Sequence, residues 1–399
     1  MTKIPISTIN GHCFHSRHPL VWVLTVREWV TCILVLYIVL NSVVLYFVYV
    51  SPSLDGTSDL RIGADSFTYL WNAGIHRNAL AARWGLSDGT TPVELISTGG
   101  SLIGPVVIGR LLRSNFLILC FNYLLFFFAV RLFAKSVPLR APLLMLLLLV
   151  NPAILVSLLT LNKEILVLVS LAMFCKYISS DGRSRLLLFG ALLVALFARW
   201  QQFLIIIVYL MLVGGLNPLR QRRKMTICLL VLFITISAPF LLSTIYVLDS
   251  ADILERLGSS DSLQSQFAVM LTNAQDHYLY FAVVLPKIAI NLYSGAFHFE
   301  RTAEGLLSKE IYSLFIAPLS SLCNVVVTIW FIVTRRFRLN NDRLFFAVIY
   351  ALIFAILPYE HGRYFLPVYV LLCVEITTRA KPEGKVVLHG SAASSLALS

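Results

Sequence analysis

Residues 141–180 read APLLMLLLLVNPAILVSLLTLNKEILVLVSLAMFCKYISS. Before Lys176 this run carries only two charges, Lys163 and Glu164, and it is about twice the ~20 residues that an α-helix needs to cross a ~30 Å hydrocarbon core. It therefore reads as a helical hairpin, turned at Asn162-Lys163-Glu164. Glu164 opens the second helix, where a negative charge suits the positive end of the helix dipole. Lys163 holds its ammonium where an anionic substrate could meet it. The bland alternative is a self-neutralising Lys–Glu turn at the lipid interface.

The rest of the chain follows the same grammar. Trp29–Val50 and Phe116–Phe133 are further apolar runs, and of 399 residues 58% are hydrophobic and only 13% charged, with a mean hydropathy of +0.82. Ordinary soluble proteins carry about 25% charged residues, so the expectation is an all-α, polytopic transmembrane helical bundle. About ten spans fit, at roughly 29–50, 116–134, 141–160, 164–180, 186–199, 203–217, 225–248, 311–334, 344–358 and 365–379. The bundle then occupies 29–380, between cytoplasmic tails 1–28 and 381–399, with long outer loops at 51–115 and 249–310. The first run is longer than a signal-peptide core and has no small-residue cleavage site, so it reads as an uncleaved anchor.

The net charge is +12, and its distribution matters more than its sum. On this topology 20 of the 32 Lys and Arg fall in cytoplasmic segments, while 15 of the 20 acids fall outside. Orientation thus accounts for the basic excess, and no nucleic acid need be invoked. The seven cysteines lie in spans or in the N-terminal tail, so no disulfide framework is implied. The tail also groups His12, Cys13, His15 and His18, a pattern more often solvated than metal-bound.

The first outer loop opens on a Ser-Pro-Ser-Leu-Asp-Gly turn and continues Arg61-Ile-Gly-Ala-Asp65-Ser-Phe-Thr-Tyr69-Leu-Trp71. From Asp65, the spacing of Phe67, Leu70, Trp71 and Gly74 predicts a short interfacial helix capped by Asp65. Asp65 and Tyr69 then lie one turn apart and can face one cavity, the acid as base or metal ligand and the phenol as a hydrogen-bonding platform. Farther on, Ile96–Arg110 is apolar but rich in Gly, with a Pro, and Leu279–Phe297 is apolar but contains Lys287. Both are expected to lie on, or dip into, the outer face.

Two more clusters interrupt apolar runs at the same face. Arg199-Trp200-Gln201-Gln202 breaks 186–217, and the planar fork of Arg199 suits phosphate or carboxylate, although a snorkelling Arg beside an interfacial Trp would look the same. Pro358-Tyr-Glu360-His361-Gly-Arg363-Tyr364-Phe-Leu-Pro367 packs an acid, an imidazole, a guanidinium and two phenols between two spans too short to cross alone. Irregular polar backbone at that depth persists where it lines a cavity. Ionisable groups there default to a functional reading. One candidate base, Asp65, together with Lys163, Arg199 and Arg363 as cations, suits transfer from a phosphate leaving group. No P-loop, dinucleotide fingerprint, Gly-x-Ser-x-Gly elbow or His-Glu-x-x-His is present, which argues against a nucleotide donor.

With Gly-Ala-Asp65-Ser-x-x-Tyr69 in a long first outer loop, an Asn-Lys-Glu hairpin turn and a late Glu-x-x-Arg363-Tyr364-x-x-Pro367, the chain resembles the GT-C glycosyltransferases. These integral-membrane enzymes use polyprenyl-phosphate-linked sugars. The resemblance implies a glycosyltransferase of surface-polysaccharide biosynthesis in a bacterial inner membrane. Asp65 would stand as the first-loop catalytic aspartate. Arg363 would stand among the groups that hold lipid phosphate, with Tyr69, Lys163, Glu164, Arg199, Gln202, Glu360, His361 and Tyr364 as further substrate-binding candidates. Its partners would be the lipid-linked donor and a glycan or lipid acceptor. Many family members carry two adjacent acids in that loop, whereas Ser66 follows Asp65 here, so a divalent cation is optional rather than implied. The size and first loop are also similar to O-antigen and exopolysaccharide repeat-unit polymerases. A flippase or transporter of lipid-linked glycans is the alternative of another class; it would call for matched halves, and no internal repeat is found.

Overall fold

The computed structural model describes residues 26–54, 69–70, 73, 103–180, 184–214, 217–245, 263–293, 317–334, 338–356 and 362–378. Among these residues the chain is helical throughout, with no β-strand and one isolated bridge, between Leu139 and Thr378. Fourteen helices of eight or more residues follow one another. The first is α1 (Val26–Leu45), prolonged by a π-helical segment to Val50. Then come α2 (Ile103–Leu112), α3 (Asn115–Ser136), α4 (Ala141–Val150) and α5 (Pro152–Leu159). Next are α6 (Glu164–Ser179), α7 (Arg185–Ala198), α8 (Trp200–Val213) and α9 (Arg223–Ile245). The last five are α10 (Leu263–Asp276), α11 (Tyr280–Tyr293), α12 (Ala317–Val333), α13 (Asp342–Phe354) and α14 (Leu366–Thr377).

Among the described residues three stretches are long and apolar enough to cross a membrane: Glu28–Val50, Asn115–Ser136 and Arg223–Phe240. A fourth is possible only if α4 and α5 count together, and they are bent by 87°. The bend has a local cause. Pro152 disfavours helical backbone at the residue before it, and Asn151 is accordingly extended (φ −75°, ψ 113°), with its Oδ1 accepting from Ala153 N at 3.0 Å to cap α5. The segment 141–160, expected as one span, is therefore an elbow. A helix or bent pair stands at each of the other expected spans too, but α6, α7 and α8 have 16, 14 and 14 residues. At 1.5 Å per residue these measure only ~21–24 Å against a ~30 Å core.

Burial sorts the helices. Only 22% of the α1 and α9 windows is buried, and both show large apolar side chains such as Trp29, Leu36, Phe233 and Phe240 to the outside, as lipid-facing helices do. α3 is half buried, while α6 is enclosed along nearly its whole length and packs chiefly on α7 and α3. α2 lies against the end of α7 so closely that a Cβ on Gly104 would stand 2.7 Å from the Phe197 carbonyl oxygen. α2 overlaps the stretch Ile96–Arg110, which was expected to lie on, or dip into, the outer face.

The basic connections gather at one end. Lys176 Nζ donates to the Lys135 carbonyl at 2.5 Å, Arg140 N to the Thr377 carbonyl at 3.1 Å, and Arg343 Nε to Glu375 Oε1 at 2.5 Å. Arg223 pairs with Asp342 and donates to the Leu339 carbonyl at 2.8 Å. These bonds tie the ends of α3, α6, α9, α13 and α14 into one layer. The opposite end carries the hairpin tips.

Candidate functional site: a buried polar cluster at the hairpin tips

Glu164 and Arg199 end their helices against each other. Asn162 Oδ1 accepts from Glu164 N at 3.4 Å as α6 begins. Arg199 is extended (φ −160°, ψ 100°) and separates α7 from α8, with neither Gly nor Pro beside it to explain the break. The explanation is across the core: Arg199 Nη2 donates to Glu164 Oε1 at 2.7 Å, and both side chains are at least 96% buried. A buried ion pair holds only if the remaining polar atoms are cared for. Here aromatic rings meet the guanidinium, while its Nε and Nη1 keep no hydrogen-bond partner. Its central carbon lies 4.8 Å from the Tyr364 ring centroid and 6.0 Å from that of Phe354, a cation–π arrangement worth ~2 kcal/mol when desolvated.

The aromatics are themselves ordered by α13. Tyr350 stacks on Phe354 at 4.8 Å, Phe354 stacks on Tyr364 at 5.9 Å, and the Tyr350 hydroxyl donates to the Tyr364 carbonyl at 3.2 Å. On the other side, Gln202 Nε2 donates to Ser170 Oγ (3.1 Å) and to the Val167 carbonyl (3.3 Å), while Ser170 Oγ donates to the Ala191 carbonyl at 2.8 Å. Gln202 and Ser170 thereby stitch α8, α6 and α7 together beneath the ion pair. Five buried polar atoms in this group have no hydrogen-bond partner: Glu164 Oε2, Arg199 Nε and Nη1, Gln201 Oε1 and Gln202 Oε1. Such density of unsatisfied polar atoms calls for an explanation beyond packing.

A further buried cation lies on α11. Lys287, on α11 and 4% exposed, donates to Gln275 Oε1 at 2.6 Å, and Gln275 Nε2 donates to the Ile356 carbonyl at 3.0 Å. Tyr280 donates to the Leu352 carbonyl, fixing α11 on the end of α13. Lys287 thus has a neutral amide as its hydrogen-bond acceptor. The charge of Asp276 acts on it, and the Asp276 carboxyl is itself pushed above its ordinary range by partial burial, with Lys287 and His277 pulling the other way.

Of the candidates named from sequence, the structure brings Glu164, Arg199, Gln202 and Tyr364 together. Lys163 is buried next to them at the start of α6. Arg363 lies in the 3-10 turn Gly362–Phe365 that leads into α14, and Tyr69 is helical and buried in the main apolar core. Asp65, Glu360 and His361 lie outside the described residues, as do His12, Cys13, His15 and His18. Among the described residues no three His, Cys, Asp or Glu side chains converge as a metal site. Sequence reading did not single out Tyr350, Ser170 or Gln275, because a lone Tyr or Ser in an apolar helix carries no signal of its own. Lys287 was visible as a charge in an apolar stretch, but not its partner.

The cluster can do two things chemically. Its charges are largely matched internally, so it is a rigid polar floor rather than an open anion trap, and its unsatisfied atoms can accept a ligand or water. Comparison with family models, with curated proteins and with solved structures gives no match to this chain.

Proposed function

We propose that this protein is a GT-C-type membrane glycosyltransferase. It moves a sugar from a polyprenyl-phosphate-linked donor to a glycan or lipid acceptor, at the outer face of a bacterial inner membrane. The observation that carries the reading is the tip cluster. Ion-paired and phenolic side chains are buried where helices of 14–16 residues stop short of a bilayer's thickness, so a polar recess inside the membrane is the natural surrounding for them. The basic layer at the other end supports cytoplasmic placement of that end, and hence outward placement of the tips.

In this reading the donor's anomeric C–O bond to phosphate breaks as the acceptor oxygen attacks. Asp65 takes the acceptor hydroxyl proton, and polyprenyl phosphate leaves. Lys163 and Arg363 meet the phosphate charge. Arg199, committed to Glu164, positions Tyr364 and the turn beside it rather than touching phosphate. Ionisable groups at the ends of the bundle favour an enzyme over a transporter, which would need them along its full depth.

The test is a mass-spectrometric profile of polyprenyl-linked glycans in a deletion strain, complemented with wild type or Asp65→Asn. Accumulated lipid-linked intermediate that wild type clears and a well-expressed Asp65→Asn does not is the expected result. An intermediate of one sugar identifies a transferase and an oligosaccharide a repeat-unit polymerase. Full complementation by Asp65→Asn removes Asp65 from the chemistry, and intermediates trapped on the cytoplasmic face turn the reading to transport.

A further inference from the structure

The basic end carries a cavity independent of the tip cluster and of the glycosyl-transfer reading. A cavity of about 380 Å3 opens between the start of α9 and the α12–α13 connection, lined by Arg222, Arg223, Lys224, Met225, Leu339 and Asn340 among others, with no carboxylate in its wall. The three cations are not equivalent. Arg223 is committed to structure: it pairs with Asp342, donates to the Leu339 carbonyl and lies 5.0 Å over the Phe345 ring. Arg222 and Lys224 are exposed, and among the described residues neither side chain has a hydrogen bond or an ion pair.

What lies beside them decides the ligand. Met225, Leu229, Leu232, Ile236 and Phe240 are exposed along α9. With Arg222 they recur at three- and four-residue intervals, so Arg222 heads a continuous apolar stripe on one face. The stripe faces lipid, so a lipid lying along it brings its headgroup to the cavity, which a small soluble anion would have to reach from water. A molecule with an anionic head and long apolar chains uses both, and basic pockets beside membrane helices are suited to such headgroups.

We propose that this cavity binds the phosphodiester headgroup of an anionic phospholipid, with Arg222 and Lys224 on the phosphate and the acyl chains along the exposed face of α9. The experiment titrates phosphatidylglycerol and, separately, phosphatidylcholine into the purified full-length protein in detergent, counting bound lipids by native mass spectrometry. The expected result is a clear preference for phosphatidylglycerol. It should weaken about fivefold for each cation removed and about thirtyfold in Arg222→Gln/Lys224→Gln. Because neither side chain has a partner among the described residues, the double variant should melt like wild type in phosphatidylcholine. Equal retention of the two lipids by wild type overturns the site without recourse to any variant, as does an undiminished preference in a folded double variant. Water-soluble glycerol 3-phosphate should fail to displace the lipid; displacement at comparable concentration would make the cavity a site for free phosphate esters and overturn the lipid assignment.

Discussion

Arg199 is among the largest side chains that the described protein buries completely. An uncompensated Arg at the middle of a bilayer costs ~2.5–3.5 kcal/mol on the insertion scale, so its bond to Glu164 is a condition of the fold. Removing one partner strands the other's charge, which typically costs ~3–5 kcal/mol, whereas replacing both by apolar groups is often far milder. Glu164→Gln and Arg199→Met should therefore each lower thermal stability in detergent strongly, and the double variant should recover much of the loss. Additive losses in that cycle would show that the two groups do not act as a pair. Each residue was legible as an interruption of an apolar run. The bond between them was not, because they are 35 positions apart and only the packing of α6 on α7 brings them face to face. The Lys287–Gln275 contact was hidden for the same reason, since a glutamine in an amphipathic stretch looks like solvated surface until α10 and α11 fold onto each other.

Among the elements, α2 and the α4–α5 elbow depart most from what helix length alone suggests. Gly104 lets α2 approach the α7 backbone, and its nearest would-be contact is a carbonyl that cannot move aside. Gly190, inside α7, faces only the flexible end of Met173. Gly104→Ala should thus destabilise the protein by roughly 1–3 kcal/mol through overpacking. Gly190→Ala should be neutral or stabilising, because alanine gains up to ~1 kcal/mol of helix propensity and Met173 can shift. Matched melting temperatures for the two variants would contradict the close approach of α2. The elbow was present in the sequence as Asn151-Pro152, but a twenty-residue, largely apolar run without a single charge outweighs one break signal when only hydropathy is weighed. The deciding contacts come from elsewhere: Ser320 Oγ donates to Asn151 Oδ1 at 2.9 Å, and Tyr369 donates to the Leu147 carbonyl at 2.6 Å.

For the whole molecule, the helical, membrane-matched character was plain from composition, whereas the number of helices long enough to cross was not, since apolar runs do not announce where they bend or stop. Sidedness can be checked directly. In a cysteine-free background, His277→Cys at the tip end should react with a membrane-impermeant maleimide in intact spheroplasts, and Arg338→Cys at the basic end only after lysis. The reverse pattern would invert the orientation proposed for the chain. The elbow also bears on how the protein is made. Its ten-residue first arm is too short to be held by the bilayer as a finished span, and the side chains that brace it belong to α12 and α14, 169 and 222 positions downstream. Synthesis must therefore run past Tyr369 before the elbow has its supports. A helix made more than 200 residues later closes a structure begun at α4, and nascent chains truncated before α14 would keep an unbraced, half-inserted arm open to quality-control proteases.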